Sequence, residues 1–375
     1  MGVKMDKIKR FVTCLIPVHA CNFRCQYCYL SHHVNEDVYG GGIRPFGASP
    51  KEIVSYFSFK RMGGACYFNL CAPGETMMHP ELIEFVSELT KEGHYADIVT
   101  NGTLTKKFDE LIASLDESQK KHLFIKFSFH YLELQKKDKM GAFLENVDKI
   151  RKSGISYSIE ITPHDELVPY IDEIKAFSME HFGALPHITV ARDEGTEDIA
   201  LLTKYSRDQY EGIWSTFDSA LFDFKFSIFN VKREEFCYAG LWSLAVDIET
   251  GIYRQCYGGD ELGNFKDNDA AIKFRPIGKC RLPHCFNGHA FLGAGDIPEL
   301  VTPTYTDERD RVTKDGDHWF SKEERDFFST KLADSNETFT DAQKKKQYVI
   351  NNCMYCVNLG KRACRKMKRI LKNEH

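Results

Sequence analysis

Between Phe11 and Arg192 the chain alternates short apolar or β-branched runs with longer stretches whose apolar residues recur every three or four positions. The short runs predict strands over Phe11 to Ile16, Ala65 to Cys71, Tyr95 to Thr100, Leu123 to Phe129, Ser156 to Thr162 and His187 to Arg192. The longer stretches predict helices over Pro50 to Met62, Pro80 to Glu92, Lys106 to Ser114, Gly141 to Lys152 and Glu166 to His181. In the second of these, Leu82, Ile83, Val86 and Leu89 share a face with charges opposite, so that face packs on a sheet. Strands alternating with helices predict an α/β fold with a parallel sheet. Such folds place ligand sites just beyond the C-terminal ends of the strands, whether the sheet closes or stays open.

After Asp193 the periodicity weakens. Residues 197–235 read as a bridge with one helical stretch around Ser206 to Asp218. A second unit, 236–292, opens with a hairpin: Leu244, Val246 and Ile248 alternate, Glu249-Thr250-Gly251 turns, and Ile252 to Tyr257 returns. Residues 293–375 read as an acidic, turn-rich region and a helical tail. The tail's Lys361, Arg362, Arg365, Lys366, Lys368 and Arg369 form a solvated face. The expected organisation is a partial barrel over 8–196, the bridge, a cysteine-rich α+β unit over 236–292, and the tail.

With 375 residues and 42% hydrophobic content, the chain buries a sizeable core and has room for about two domains. A formal net charge of -4 gives no reason to expect nucleic acid or an anionic membrane as a partner. No apolar run approaches the roughly 20 residues of a membrane span, and Met1 to Arg10 lacks the apolar core of a signal peptide, so the expected location is cytoplasmic. Thirteen cysteines in such a chain are then metal ligands and not disulfides. Cys14, Cys66 and Cys71 are excepted, because each sits in an apolar run and is expected in the core.

Directly after the first predicted strand, Cys21, Cys25 and Cys28 stand in a C-x3-C-x2-C run. This spacing supplies three thiolates to a cube of four irons and leaves the fourth iron open to a ligand from solution. A zinc site completed by His19 or His32 is the competing assignment, although structural zinc sites usually come as two separated ligand pairs. With Tyr27 before the last cysteine, the run Cys-Asn-Phe-Arg-Cys-Gln-Tyr-Cys resembles the signature of the radical S-adenosylmethionine (radical SAM) enzymes. The resemblance covers about half of the chain and implies a partial (β/α)6 TIM-like barrel with its cluster loop after the first strand. It also implies a 4Fe-4S cluster ligated by Cys21, Cys25 and Cys28, with S-adenosylmethionine bound to it.

Further site residues follow from the same resemblance. Ala72-Pro73-Gly74-Glu75-Thr76, after the second strand, matches a Gly-Gly-Glu segment that holds the methionine amino group; Pro73 replaces the first glycine, while Gly74 and Glu75 remain. At the ends of the third and fourth strands lie Asn101, Ser128 and His130. Ser128 is the candidate ribose contact and His130 a substrate-side or second cofactor contact; Asn101 serves equally well as a turn cap. Glu160, flanked by Ile159 and Ile161, binds ligand or pairs with Arg192 if it points inward. Arg192, Asp193 and Glu194 are candidate substrate contacts.

Cys237, a hairpin with Gly251 at its tip, and Cys256 resemble the start of the SPASM or twitch domains attached to many radical SAM enzymes. Either Cys280 and Cys285 or Cys353 and Cys356 complete an auxiliary cluster, with Cys364 left over; zinc remains an alternative for the C-terminal trio. The expected function is radical SAM chemistry of an oxidoreductase type on a small molecule or glycan precursor, because the barrel begins within about ten residues of Met1 with no recognition domain before it. A peptide substrate is the alternative within that chemistry. A non-catalytic iron-sulfur or zinc protein for binding or redox sensing is the alternative outside it. The expected electron donor is a flavodoxin or ferredoxin.

Overall fold

The computed structural model describes residues 6–29, 41–193, 199–267 and 271–355. Six parallel strands form in the predicted places: β1 (Arg10–Leu15), β2 (Cys66–Cys71), β3 (Tyr95–Thr100), β4 (Leu123–Ser128), β5 (Ser156–Ile161) and β6 (His187–Ile188). They lie side by side in chain order. The sixth is shorter than expected, because beyond Ile188 the chain turns away and Arg192–Asp193 pairs with Ala200–Leu201.

Helices α1 (Pro50–Tyr56), α2 (Leu82–Lys91), α3 (Thr105–Ser114), α4 (Met140–Ser153) and α5 (Ile171–His181) fill the crossovers. Two of them show clear local end signals. Ser49 caps α1, with Pro50 at its first position, and Gly154 ends α4 in the left-handed conformation at φ 77°. The expected helix over Glu166 to His181 is divided, a 3-10 turn over Asp165–Tyr170 preceding α5, because Pro169 lacks the N–H that an α-helix would use. Of the expected α2 face, Leu82, Val86 and Leu89 are buried and Ile83 is half-buried, while Phe85 is buried beside them.

The hairpin of the second unit forms from β7 (Ser243–Asp247) and β8 (Ile252–Arg254), and β9 (Glu261–Asn264) follows. Gly251 takes φ 78° at the turn, where a side chain would be strained. These strands do not make a sheet of their own: β7 pairs parallel with β1, giving one open sheet in the order β9-β8-β7-β1-β2-β3-β4-β5-β6. The fold is therefore α/β with a large, unclosed parallel sheet.

Four helices that the sequence pattern did not reveal complete the core: α6 (Ala220–Ser227), α7 (Gly288–Ala294), α8 (Tyr305–Arg309) and α9 (Lys322–Phe328). The stretch expected to be acidic and turn-rich thus carries core residues. Tyr305 and Phe328 pack on Tyr67 and Phe124, and Phe327 stacks on Tyr95 at 3.6 Å. Side chains alternate along each strand, so the concave face is layered. Aromatic Tyr67, Tyr95 and Phe124 lie at the N-terminal ends; polar Asn69, Asp97 and Lys126 come next; Cys71, Val99 and Ser128 line a cavity at the C-terminal ends.

Candidate active site

The middle layer is a buried polar network. Asp97, with no exposed surface, accepts from Tyr67 Oη at 2.8 Å and Asn69 Nδ2 at 3.0 Å, and lies 3.0 Å from Lys126 Nζ. Burial alone would lower the Lys126 pKa, but Asp97 and Tyr305 hold it above the ordinary value. Beside this network Glu160 faces the cavity. Of the two expected roles, facing the cavity leaves it placed to contact a ligand, whereas its ion-pair partner is Arg309 Nε of α8, at 3.3 Å, and not Arg192.

Above these layers is a cavity of about 510 Å3, within the size range of small-molecule sites. Tyr27, Ser128, Glu160 and Arg192 line it, as do Tyr29, Pro73 and Lys225. From the second unit come Tyr257, Phe286 and His289. Cys71 also lines it, only partly buried, whereas Cys14 and Cys66 are fully buried in the core as expected. The Arg192 guanidinium lies 4.2 Å over the Tyr29 ring and donates to the Phe286 carbonyl at 3.3 Å.

The loop carrying Cys21, Cys25 and Cys28 borders the cavity through Tyr27 and Tyr29 and is fastened to four successive strand ends. At β2, Gly74 N–H donates to Val18 O at 2.8 Å and Glu75 N–H to Ala20 O at 2.9 Å. This approach is so close that a Cβ on Gly74 would lie 2.0 Å from the Ala20 carbonyl oxygen. Beyond β3, Asn101 Nδ2 donates to Asn22 Oδ1 at 2.6 Å, Asn22 Nδ2 donates to Thr103 Oγ1 at 2.8 Å, and the Thr103 hydroxyl donates to Asn101 Oδ1 at 2.7 Å. At β4, the Tyr27 hydroxyl meets His130 Nδ1 at 2.9 Å, and beyond β5 the Tyr27 ring stacks on His164 at 3.9 Å.

Glu75 is the fastener between two of these ends. Only 3% exposed, it accepts from Thr100 Oγ1 at 2.6 Å, Asn101 N–H at 2.8 Å and Met77 N–H at 3.1 Å; burial pushes its pKa up against those bonds. Burial and the neighbouring His164 push His130 down to about 4, and burial pushes His164 down to about 4, so both are neutral hydrogen-bonding rings at neutral pH.

The donor set suits a metal cluster. No disulfide ties the cysteines among the described residues. Burial raises the Cys21 thiol and pushes Cys25 up to about 12, the Tyr27 hydroxyl opposing the rise at Cys25. The Phe23 N–H donates to Cys21 Sγ at 3.4 Å, an arrangement that favours the thiolate. In the second unit burial raises the thiols of Cys237, Cys256 and Cys285; Asp296 and then Cys285 and Cys256 add to this at Cys237, Cys280 and Asp296 at Cys256, and Cys256, Cys280 and Asp296 at Cys285. Each of these four sulfurs is faced by the N–H two residues onward: Ala239, Gly258, Leu282 and Asn287. No three His, Cys, Asp or Glu side chains among the described residues converge on one metal-ion position, whereas a cube spreads its thiolates over separate irons. Cys353 is exposed on a helix over 341–355, next to Asn352, which accepts from Arg281 at 2.7 Å. Cys356, Cys364, His32 and Glu194 lie outside the described residues.

Residues 15–169 match the family model described as the Radical SAM superfamily. This part of the chain is similar to the radical SAM domain. That family implies a 4Fe-4S cluster and S-adenosylmethionine, and the three-cysteine loop beside the cavity has the donor types for such a cluster. No curated protein matches the chain. Among solved structures the fold is similar to SuiB of Streptococcus suis, at 13% identity and a TM-score of 0.46, over 70% of this chain and 64% of that one. SuiB has also been solved bound to its precursor peptide SuiA, matching with 13% identity and a TM-score of 0.44 over 71% of this chain and 64% of that one. Native anSMEcpe with bound AdoMet matches at 16% identity and a TM-score of 0.45, over 93% of this chain and 99% of that one. The chain thus spans less than two thirds of the length of SuiB. Among the described residues no helix is long and apolar enough to cross a membrane.

Sequence reasoning missed Asn22, Thr103 and His164, which hold the loop, and Lys126, Lys225, Arg309 and His289 around the cavity. For Lys126 a signal existed: it stands two positions before Ser128 in an otherwise apolar strand, so alternation puts both on the same face.

Proposed function

We propose that this chain is a radical SAM enzyme in which Cys21, Cys25 and Cys28 ligate a 4Fe-4S cluster whose open iron takes S-adenosylmethionine. When bound, that cluster and cosubstrate supply reductive cleavage to a 5′-deoxyadenosyl radical, which takes a hydrogen atom from the substrate. The observation that carries this reading is that the loop bearing the three thiols also builds the cavity wall, through Tyr27 and Tyr29. The chain's own work is positioning and exclusion of water. Gly74 and Glu75 set the loop against β2, Asn101 holds Asn22, and His130 holds Tyr27. Ser128, Glu160 and Arg192 offer the cosubstrate or substrate polar contacts from the cavity wall.

Cys237, Cys256, Cys280 and Cys285 form the best-supported ligand set for an auxiliary cluster. The residues next to two of them, Tyr257 and Phe286, line the cavity, so this set stands directly behind the cavity wall. That placement suits an auxiliary centre that takes back an electron in a net oxidation. A largely apolar cavity of about 510 Å3 with a few charged side chains, Lys126, Glu160, Arg192 and Lys225, suits a small molecule or glycan precursor. The reading places the protein in the cytoplasm with a flavodoxin or ferredoxin as electron donor.

The test is an anaerobic assay for 5′-deoxyadenosine with reconstituted, dithionite-reduced protein, comparing wild type with Cys25→Ala, together with a spectroscopic titration of the cluster with S-adenosylmethionine. Production by wild type alone is the expected result. An iron-replete wild type that makes none, and whose cluster spectrum ignores S-adenosylmethionine, overturns the proposal.

A further inference from the structure

Lys225 projects from α6 into the cavity and donates to Thr189 Oγ1. Its neighbours on the other elements are Lys126 of β4, Glu160 of β5, Arg192, Arg309 of α8 and His289 of α7. Lys126 already has Asp97 at 3.0 Å, and Arg309 has Glu160 at 3.3 Å and Glu308 at 2.5 Å. No carboxylate among the described residues forms an ion pair with Lys225. Burial and the charges of Arg192, Arg309 and Lys126 push its pKa down to about 7 against Glu160. His289, half-buried in the cavity wall beside the same cations, is held well below the ordinary imidazole range by burial and by their charges, so it too can donate a hydrogen bond without adding charge.

We propose that this end of the cavity receives an anionic group of the substrate, a carboxylate or a phosphate, at Lys225 with Arg192 and His289 beside it. The word substrate rests on the radical SAM reading; the anion site does not. An entering anion supplies the counter-charge that Lys225 lacks, so Lys225 takes up a proton as the anion binds. Binding therefore tightens as the pH falls through about 7.

The test uses the cluster-loaded protein under anaerobic conditions at constant ionic strength and reads the rise in melting temperature caused by sodium sulfate, inorganic phosphate or sodium acetate over sodium chloride. Sulfate and acetate do not titrate between pH 6.5 and 8.5, so any pH dependence they show belongs to the protein. The expected result is a rise at pH 6.5 that shrinks at least threefold at pH 8.5. Lys225→Met should abolish it, Lys225→Arg should keep it with the pH dependence gone, and the exposed Lys136→Met should leave it intact. A response to sulfate and phosphate assigns a phosphate-bearing substrate, and a response to acetate alone assigns a carboxylate. No response of wild type to any of the three anions, or an undiminished response in Lys225→Met, overturns the inference. A cluster spectrum unmoved by S-adenosylmethionine in the same samples would instead count against the radical SAM reading, leaving the anion readout standing.

Discussion

Gly74→Ala tests whether the contact between β2's end and the cluster loop is as close as described. The added Cβ would stand 2.0 Å from Ala20 O, 2.6 Å from Ala20 C and 2.8 Å from Ala20 N, all backbone atoms. An ordinary carbon–oxygen contact is about 3.3 Å, so Ala20, the neighbour of Cys21, must move by roughly 1.3 Å. That movement breaks or lengthens the Gly74–Val18 and Glu75–Ala20 hydrogen bonds, each worth about 1 kcal/mol net, and adds an overpacking cost of about 1–3 kcal/mol. A loss of about 3–5 kcal/mol is expected, with Cys21 displaced enough to lower occupancy of the N-terminal cluster. Gly141→Ala is the internal control, because nothing lies within 4 Å of a Cβ there and the position is helical. It should be neutral or stabilise by up to about 1 kcal/mol. Urea unfolding of the reconstituted protein and iron per chain read both quantities. A Gly74→Ala variant with wild-type midpoint and full iron would refute the close approach and the seating of Cys21 built on it.

Asp97→Asn should cost about 3–5 kcal/mol in urea unfolding, because it strands the 8% exposed Lys126 without its counter-charge; a loss below about 1 kcal/mol would mean that water or another group already balances Lys126. Replacing any one of Cys237, Cys256, Cys280 or Cys285 by serine should remove the same increment of about four irons per chain, whereas Cys353→Ser should leave that increment in place; unequal losses within the four would break up the set. His130, neutral in the fold with a pKa near 4 against about 6.5 unfolded, contributes stability that is present above 6.5 and lost as the pH falls toward 4. Between pH 7 and pH 5 that is about 2 kcal/mol, so His130→Gln should be less acid-sensitive than wild type by about this amount in paired urea titrations; equal slopes would show that the ring charges freely.

The six parallel strands and the cluster loop were legible because their signals are local. Strands buried on both faces read as unbroken apolar runs, and three thiolates on one loop need no tertiary knowledge. What escaped depends on contacts between distant segments. Helix α6 is buried around most of its circumference through Leu221, Phe222, Phe224 and Phe226, so no 3.6-residue stripe marks it. The alternation rule left the direction of Glu160 open, but nothing in the local sequence could name Arg309 as its partner. Asn101 was equally readable as a ligand or as a cap; only the position of Asn22 identifies it as the clasp of the cluster loop.

The pairing of β7 with β1 ties the two cysteine-bearing regions to adjacent ribbons of one sheet. The first set hangs from the end of β1, and Cys256 lies just past β8, which is paired to β7. Their separation is thus a property of strand spacing and not of a linker, and electron exchange between centres held there would occur across a fixed gap without domain motion. The same joint means that a fragment ending before β7 would expose the backbone edge of β1, a strand otherwise paired on both sides, to open-edge association. Dividing this protein into separately expressed halves should therefore yield aggregates and not modules.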